Sequence, residues 1–401
     1  MTMNSHRVLP FILIFSLILI LTVVGPANAS SDFWVSKANL PVGWGTRPSI
    51  GPIGKAVTVS GQIYLFYANY TYLYDASTNT WFSKTSMPTQ QSNFAVAACL
   101  GKAYVFGEES NEAYNPATDT WNSIAPMPTP RSNMEANAVD GKIYLISGLL
   151  PQDGHPGPTM SNVNEVYNAA SNTWTTDAPI PTPVYNYASA VVGSKIYIIG
   201  GDAVSGYADG VAITNPCNLT QVFNTQTNSW SYEQPLPIPL ANSGAGATTG
   251  TFAPTKIYVF GGGNIGDVYN FTQIYNPDTE TWTLGASMPT ARFDLSVAVV
   301  NDTFYVLGGY NDTYSTPINE QYFPSNYQAN NQLTSPSPSV PEFPAWLILA
   351  VTILMFTVII LKRKYRMKRF YALTNKAFAI GSNREKLRLI TIKTIVNRVT
   401  F

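Results

Sequence analysis

Between residues 32 and 324 apolar and polar positions alternate in short runs, the period of strands and not of helices. The clearest unit is Lys256 to Pro289, KIYVFGGGNIGDVYNFTQIYNPDTETWTLGASMP. Lys256 to Phe260 alternates like a strand and runs into Gly261-Gly262, where backbone freedom lets the chain leave a sheet. The next strand ends at Tyr275, Asn276-Pro277-Asp278 makes a tight turn, and a further strand starts at Trp282 and stops at Met288-Pro289. With the strand just upstream, the unit has four strands.

Versions of this unit recur through the middle of the chain. Trp81, Trp121, Trp174, Trp230 and Trp282 follow the turns DASTNT, NPATDT, NAASNT, NTQTNS and NPDTET, and each precedes a terminator, SMP, PMP, PIP, PLP or SMP. Their spacings are 40, 53, 56 and 52 residues, a fixed order with variable loops. Upstream stand six versions of one strand, IYLFY, AYVFG, IYLISG, IYIIGG, IYVFGG and FYVLGG. The pattern resembles the kelch repeat, marked by Gly-Gly after a strand, a spaced Tyr and a later Trp, although the Gly pair is kept only at Gly200-Gly201, Gly261-Gly262 and Gly308-Gly309. The resemblance implies an all-β fold, a kelch-type β-propeller with blades of roughly 50 residues.

Asp32-Phe33-Trp34-Val35 through Leu40-Pro41 reads like the last strand of a blade with nothing before it, whereas Arg292 to Pro324 has three strands and no Trp strand. The two fragments complete each other. They predict six blades, the sixth closed by the N-terminal strand, which leaves no open sheet edge. Tight hairpins are expected at Ser60-Gly61, Leu100-Gly101, Asp140-Gly141, Gly193-Ser194 and Asn301-Asp302, with 253–255 as the blade-five counterpart. The connections between second and third strands vary most. They are long at 149–164 and at 202–219, and nearly absent after Gly107.

In a propeller those connections share a face with the segments that enter each innermost strand, so the variation gathers at one mouth. The entering segments GWGTRPSIG, QQSNFA, PRSNMEA, PVYNYA, LANSGA and ARFDLS offer Trp44, Asn133 and Asn242, and as leading candidates Arg47, Asn93, Arg131, Glu135, Tyr185, Tyr187, Arg292 and Asp294. Mixed charges, amides and aromatics at a concave mouth suit a carbohydrate or a peptide loop. The competing reading is structural, because an arginine after the Pro terminator is common in kelch blades as a group bonding neighbouring blades.

The ends of the chain read differently. Residues 1–29 carry Arg7, the apolar run Val8 to Val24 and Ala27-Asn28-Ala29, the signature of an export signal; an uncleaved anchor is the alternative. The propeller takes 30–324, and 325–342, rich in Ser, Pro, Asn and Gln, is expected to be an extended stalk. Residues 343–361 are uncharged and long enough for a transmembrane helix in contact with lipid. The tail 362–401 has 12 Lys or Arg against Glu385 alone, which places it in the cytoplasm and the propeller outside. The junction Val340-Pro341-Glu342-Phe343-Pro344 looks like the PEF-type sorting signals of archaeal surface proteins, which implies transfer to a lipid anchor, although about 40 residues after the span depart from that pattern.

The formal net charge of zero conceals two opposite regions. Residues 30–342 hold 10 basic and 22 acidic side chains, a composition that excludes a nucleic-acid partner and fits an exposed surface domain whose tyrosines belong to half-exposed strands. Sequons at Asn69, Asn218, Asn270, Asn301 and Asn311 are glycosylation candidates in an exported chain. Cys99 in an apolar strand and Cys217 in a long loop are not expected to pair.

Kelch-type copper oxidases resembling galactose oxidase need two His ligands and a Tyr-Cys crosslink, and this chain has His6 and His155 alone; a zinc centre fails for the same lack, and no cofactor or metal is expected. Sialidase S-x-D-x-G-x-T-W boxes are missing. What the sequence supports is a membrane-anchored extracellular module that binds protein or glycan. The alternatives are a sugar-active enzyme similar to the sialic acid mutarotases, with Glu135 and Arg131 or Asp294 and Arg292 as its acid-base pair, or a structural surface-layer component.

Overall fold

The computed structural model describes residues 31–41, 54–151, 157–264 and 266–328, together with Ile360, Lys362, Lys364 and Lys368. Contacts divide the chain into units of 1–330 and 331–401. In the second unit the four described positions are helical. Among the described residues no helix is long and apolar enough to cross a membrane. The export signal, the stalk beyond Gln328 and, apart from Ile360, the predicted span lie outside the described residues.

The described residues of the first unit form 28 strands. Strand β1 (Phe33–Ser36) precedes blade one, which holds β2 (Lys55–Val59), β3 (Gln62–Tyr67), β4 (Tyr70–Asp75) and β5 (Thr80–Lys84). Blade two holds β6 (Ala95–Cys99), β7 (Lys102–Phe106), β8 (Asn111–Asn115) and β9 (Thr120–Ser123). Blade three holds β10 (Ala136–Val139), β11 (Lys142–Ile146), β12 (Asn164–Asn168) and β13 (Thr173–Asp177). In blade four, β14 (Ala188–Val192) and β15 (Lys195–Ile199) are followed by a hairpin, β16 (Asp202–Ala208) and β17 (Val211–Pro216), before β18 (Thr220–Asn224) and β19 (Ser229–Tyr232). Blade five repeats this arrangement: β20 (Gly244–Ala247) and β21 (Ile257–Phe260), a short hairpin β22 (Gly263–Asn264) and β23 (Asp267–Val268), then β24 (Thr272–Asn276) and β25 (Thr281–Leu284). Blade six has β26 (Ser296–Val300), β27 (Thr303–Leu307) and β28 (Asn319–Phe323).

Each blade is a four-stranded antiparallel sheet, and the sixth takes β1 as its outer strand, in the order β1-β28-β27-β26. Phe33 stands opposite Phe323 and Trp34 opposite Tyr322, so the N-terminal segment closes the ring as its sequence predicts. Four of the strand-one hairpins are two-residue turns with both central residues left-handed: Ser60-Gly61 at φ 52° and 78°, Leu100-Gly101 at 48° and 74°, Asp140-Gly141 at 49° and 76°, and Asn301-Asp302 at 50° and 56°. That conformation twists a hairpin in the sense of its strands.

Neighbouring blades are stitched by the repeat's own signature residues. The indole N–H of Trp121 donates to Thr85 O in the preceding blade at 2.9 Å, and Trp174, Trp230 and Trp282 do the same to Ala125, Ala178 and Gln234. Trp81 donates to Ala38 O and Trp34 to Ala286 O, so the same bond runs through the closing blade. A left-handed turn residue adds a second tie: Asn79 Oδ1 accepts from Ala38 N at 2.7 Å and from the Tyr74 hydroxyl at 2.6 Å. Asp119 and Asn172 repeat this, and in blade six Asp32 takes the role, accepting from Ala286 N and from the Tyr322 hydroxyl.

Twelve of the 22 described tyrosines are buried, four of them held by these ties. Tyr74, Tyr114, Tyr167, Tyr258, Tyr275 and Tyr322 are among the largest fully enclosed side chains, which corrects the expectation that tyrosine lines half-exposed strands. Phe106 of blade two meets Tyr167 and Trp174 of blade three edge-on, with ring centroids 5.6 Å away in each case. Phe66 and Phe260 pack the same way on the blades that follow them. Burying one such ring contributes about 1.5–3 kcal/mol, and the phenol is retained because its O–H finds an acceptor in the neighbouring turn.

Candidate functional site

Two kinds of backbone make the mouth. The segment entering each innermost strand pairs with the residue that leaves the second strand: Ser132 with Leu149, Tyr185 with Asp202, Ala241 with Gly263 and Phe293 with Tyr310. Variable connections and entering segments therefore share a face. The connection at 202–219, expected as a loop, is a β-hairpin turned by Asp209-Gly210 at φ 49° and 80°.

Around the axis the entering segments repeat one conformation. Asn93, Asn133, Asn186, Asn242 and Asp294 stand three residues before the corresponding inner-strand position in five blades, and all are left-handed, with φ between 52° and 56°. Asparagine and aspartate tolerate this region better than other side chains with a Cβ. The conformation lets each amide reach the blade before it. Asn186 N donates to Asn133 O at 2.9 Å, Asn242 N to Asn186 O at 2.7 Å and Asp294 N to Asn242 O at 2.7 Å, and Asn133 Nδ2 donates to Asn186 Oδ1 at 2.6 Å.

Inside this belt a charge pair spans the bore, Lys55 Nζ from blade one to Glu135 Oε1 from blade three. Asp294 is the one carboxylate in the belt, and its pKa is pushed up to about 6 by burial, partly offset by Lys55 and reinforced by Asp202. Below lies a central channel of about 300 Å³ walled by the six innermost strands, rich in Ala and Gly. Asn137 Nδ2 and Ser243 Oγ border it, both buried and without a protein partner among the described residues.

The predicted site residues divide. Asn93, Glu135 and Asp294 face the mouth, and Tyr185 lies off the axis, its hydroxyl bonded to Thr214 Oγ1 at 2.9 Å. Tyr187 is enclosed, donating to Ile146 O and accepting from Glu135 N at 3.2 Å, so it holds Glu135 in place from behind. Arg47 lies outside the described residues.

Arg131 and Arg292 have no exposed surface at all. Arg131 pairs with Glu165 and donates to Ser147 O at 2.8 Å and Leu145 O at 2.7 Å; Arg292 pairs with Glu320 at 2.7 Å and donates to Gly308 O at 2.7 Å. Both guanidinium groups pair inside their own blades, not between blades, with Arg292 Nε left without a partner among the described residues, and neither pairs with Glu135 or Asp294. The blades without this arginine alter the partner position too. Where Val184 and Leu240 replace it, Gln221 and Gln273 replace the glutamate, with amides bonded to Thr182 O and Ile238 O. Blade two keeps Glu112 opposite Gln91, and burial raises the Glu112 pKa despite a hydrogen bond from the Thr89 hydroxyl.

Sequence reasoning missed Lys55 and the residues beside the blade-four hairpin. Lys55 was discoverable, since in register it is the blade-one counterpart of Glu135, and these are the only charged residues at that position among the six blades. A cleft of about 470 Å³ opens between β16–β17 and β22–β23, lined by Tyr185, Asp202, Thr214, Asp267, Phe293 and Asp312 among others. Of the sequons, Asn218 and Asn301 are exposed, Asn69 and Asn311 are half-buried, and the Asn270 amide donates to Met288 O at 3.3 Å. Cys99 and Cys217 are both free.

The architecture defines a class: a six-bladed, all-β propeller with a belted polar mouth and an N-terminal closing strand. Residues 127–309 match the KLHDC2/KLHL20/DRC7 Kelch-repeats domain. The chain is 30% identical over 174 residues to the Kelch-like protein terF of Aspergillus terreus, covering 41% of this chain and 36% of that one. It is 29% identical over 169 residues to the human Kelch-like protein 15, covering 38% of this chain and 27% of the relative. The alignments thus span about a third and about a quarter of those relatives' lengths. A solved structure titled "Structure of YjhT" superposes with a TM-score of 0.58 at 14% identity, covering 70% of this chain and 95% of that one, a likeness of fold. These findings support kelch repeats in the propeller, with a family model matched over residues 127–309.

Proposed function

We propose that this protein is an exported, membrane-anchored propeller that binds a partner at its loop-rich mouth, a protein first and a glycan second. One observation carries the reading: the hairpins β16–β17 and β22–β23 and the connection after β11 gather on one face, whereas most turns at the opposite end are two to four residues long. Loops on a rigid frame are where recognition is placed. The matched kelch-like proteins favour a protein partner. Anchoring is supported by the sequence alone, by the uncharged stretch 343–361 followed by Lys362-Arg363-Lys364.

Glu135 and Asp294 face the mouth without the arginines that an acid-base reading assigned to them, and this favours binding over catalysis. The test compares full-length protein with a variant in which residues 203–215 are replaced by Gly-Gly and with Thr78→Ala/Thr118→Ala at the far end. Each is probed against a glycan array and the proteins of its own cell envelope. Binding is expected to fall in the hairpin variant and persist in the far-end variant. Equal binding by all three would sink the mouth as the recognition face.

A further inference from the structure

The off-axis cleft is the feature the mouth's own symmetry does not require, because it exists only where blades four and five carry extra hairpins. Its floor is aromatic: Phe293 lies beside Tyr310 with ring centroids 5.7 Å apart and planes at 26°, and Tyr185 is fixed by its bond to Thr214. Carboxylates approach from three elements, Asp202 at the root of β16, Asp267 on β23 and Asp312 after β27. Asp267 and Asp312 are exposed, and no lysine or arginine stands among the lining residues.

The hairpin's register extends the site. Asp202 pairs with Pro216, Val204 with Thr214 and, past a bulge at Ser205, Tyr207 with Ala212, so these six residues share one face of the ribbon. Three of them, Asp202, Thr214 and Pro216, line the cleft; the same face therefore runs outward from it to Val204 and Tyr207, which are 40% and 72% exposed. An acidic slot floored by aromatic rings and continued by an apolar ledge is complementary to a cation carried between apolar side chains. With no lysine or arginine among the lining residues, an ammonium or guanidinium gains from the carboxylates and from the ring faces together.

We propose that this cleft docks an extended segment of a partner protein, with a lysine or arginine in the slot and a neighbouring apolar side chain on Val204 and Tyr207. The inference rests on the mouth-binding reading and narrows it to one cleft and one chemistry. An array of octapeptides with a central arginine, lysine, citrulline or glutamate, flanked by varied apolar residues, is probed with labelled full-length protein. Arginine and lysine peptides are expected to bind about tenfold more tightly than their citrulline counterparts, with the preference weakening as salt rises. Asp267→Asn/Asp312→Asn, two exposed changes whose thermal midpoint checks the fold, should abolish the preference, and Tyr207→Ser should weaken all peptides with apolar flanks. Equal binding of arginine and citrulline peptides, or none by any peptide, overturns the assignment. If peptides fail while a glycan binds and depends on residues 203–215, the cleft proposal falls and the mouth reading stands; if nothing binds at all, both fall.

Discussion

The belt at the mouth is a rule with one exception, and the exception is testable. Four blades place asparagine at the left-handed position and blade six places Asp294, whose pKa burial lifts from 3.8 to about 6. An acid with a raised folded pKa holds its proton more firmly folded than unfolded. Stability therefore falls as pH rises from about 4 to about 6, and the full cost of the buried charge is present above that window. Asp294→Asn keeps a side chain that accepts the left-handed backbone and removes the charge. The variant should gain about 1–2 kcal/mol at pH 7.5 and close to nothing at pH 4, read as the difference between thermal or urea midpoints at the two values. A gain of the same size at both values would mean that ionisation is not what separates the two side chains. The wall shows the same logic at other positions. Arginine with glutamate, or an aliphatic residue with glutamine, are the two self-consistent pairings, and Glu112 opposite Gln91 departs from both.

Elements differ in how much of them the sequence exposes. Strands two to four of each blade were legible because the Gly exit, the Asn-rich turn and the Trp recur with one role each, and the tryptophan N–H bonds show what that role is. The β16–β17 hairpin was not read, although Asp209-Gly210 between alternating runs is a hairpin signal, because kelch periodicity assigns those residues to a connection. Arg131 and Arg292 misled for a different reason: charge in an entering segment looks like a ligand group until the buried glutamate across the sheet is known.

Innermost strands were the least informative, being short and small-residued, and packing explains why. A Cβ on Gly246 of β20 would lie 2.7 Å from Val299 Cγ2 and 3.1 Å from Phe304 Cε1 of blade six, so the blades approach there to a distance only glycine permits. Gly246→Ala should cost about 1–3 kcal/mol through overpacking. Gly206→Ala on the exposed hairpin, where nothing lies within 4 Å, should stay within about 0.5 kcal/mol. Calorimetric midpoints of the two variants check the contrast, and a Gly246→Ala protein melting like wild type would show that blades five and six can part without loss.

At the scale of the molecule, closure decides how these local energies are felt. In an open array a terminal repeat has one neighbour and frays, so a substitution there costs less than the same substitution in the middle. This ring has no terminal blade. Trp34 ties β1 to blade five through Ala286 O and packs on Phe260 and Tyr322, while Trp81 ties blade one to Ala38 just after β1. β1 is far from β28 in sequence yet stands in the same sheet, so loss of the whole strand opens an edge on blade six and unlatches blade one together. Trp34→Ala and Trp81→Ala are accordingly expected to destabilise by comparable amounts, about 3 kcal/mol each, within one cooperative transition. A chain lacking residues 31–41 should lose more, because both indole-to-backbone latches go with it. Circular dichroism melts of the three proteins decide between closure and an open array. If Trp34→Ala were nearly silent while Trp81→Ala was costly, the N-terminal strand would be an ornament on a ring that closes without it, and the rigidity of the mouth would need another source.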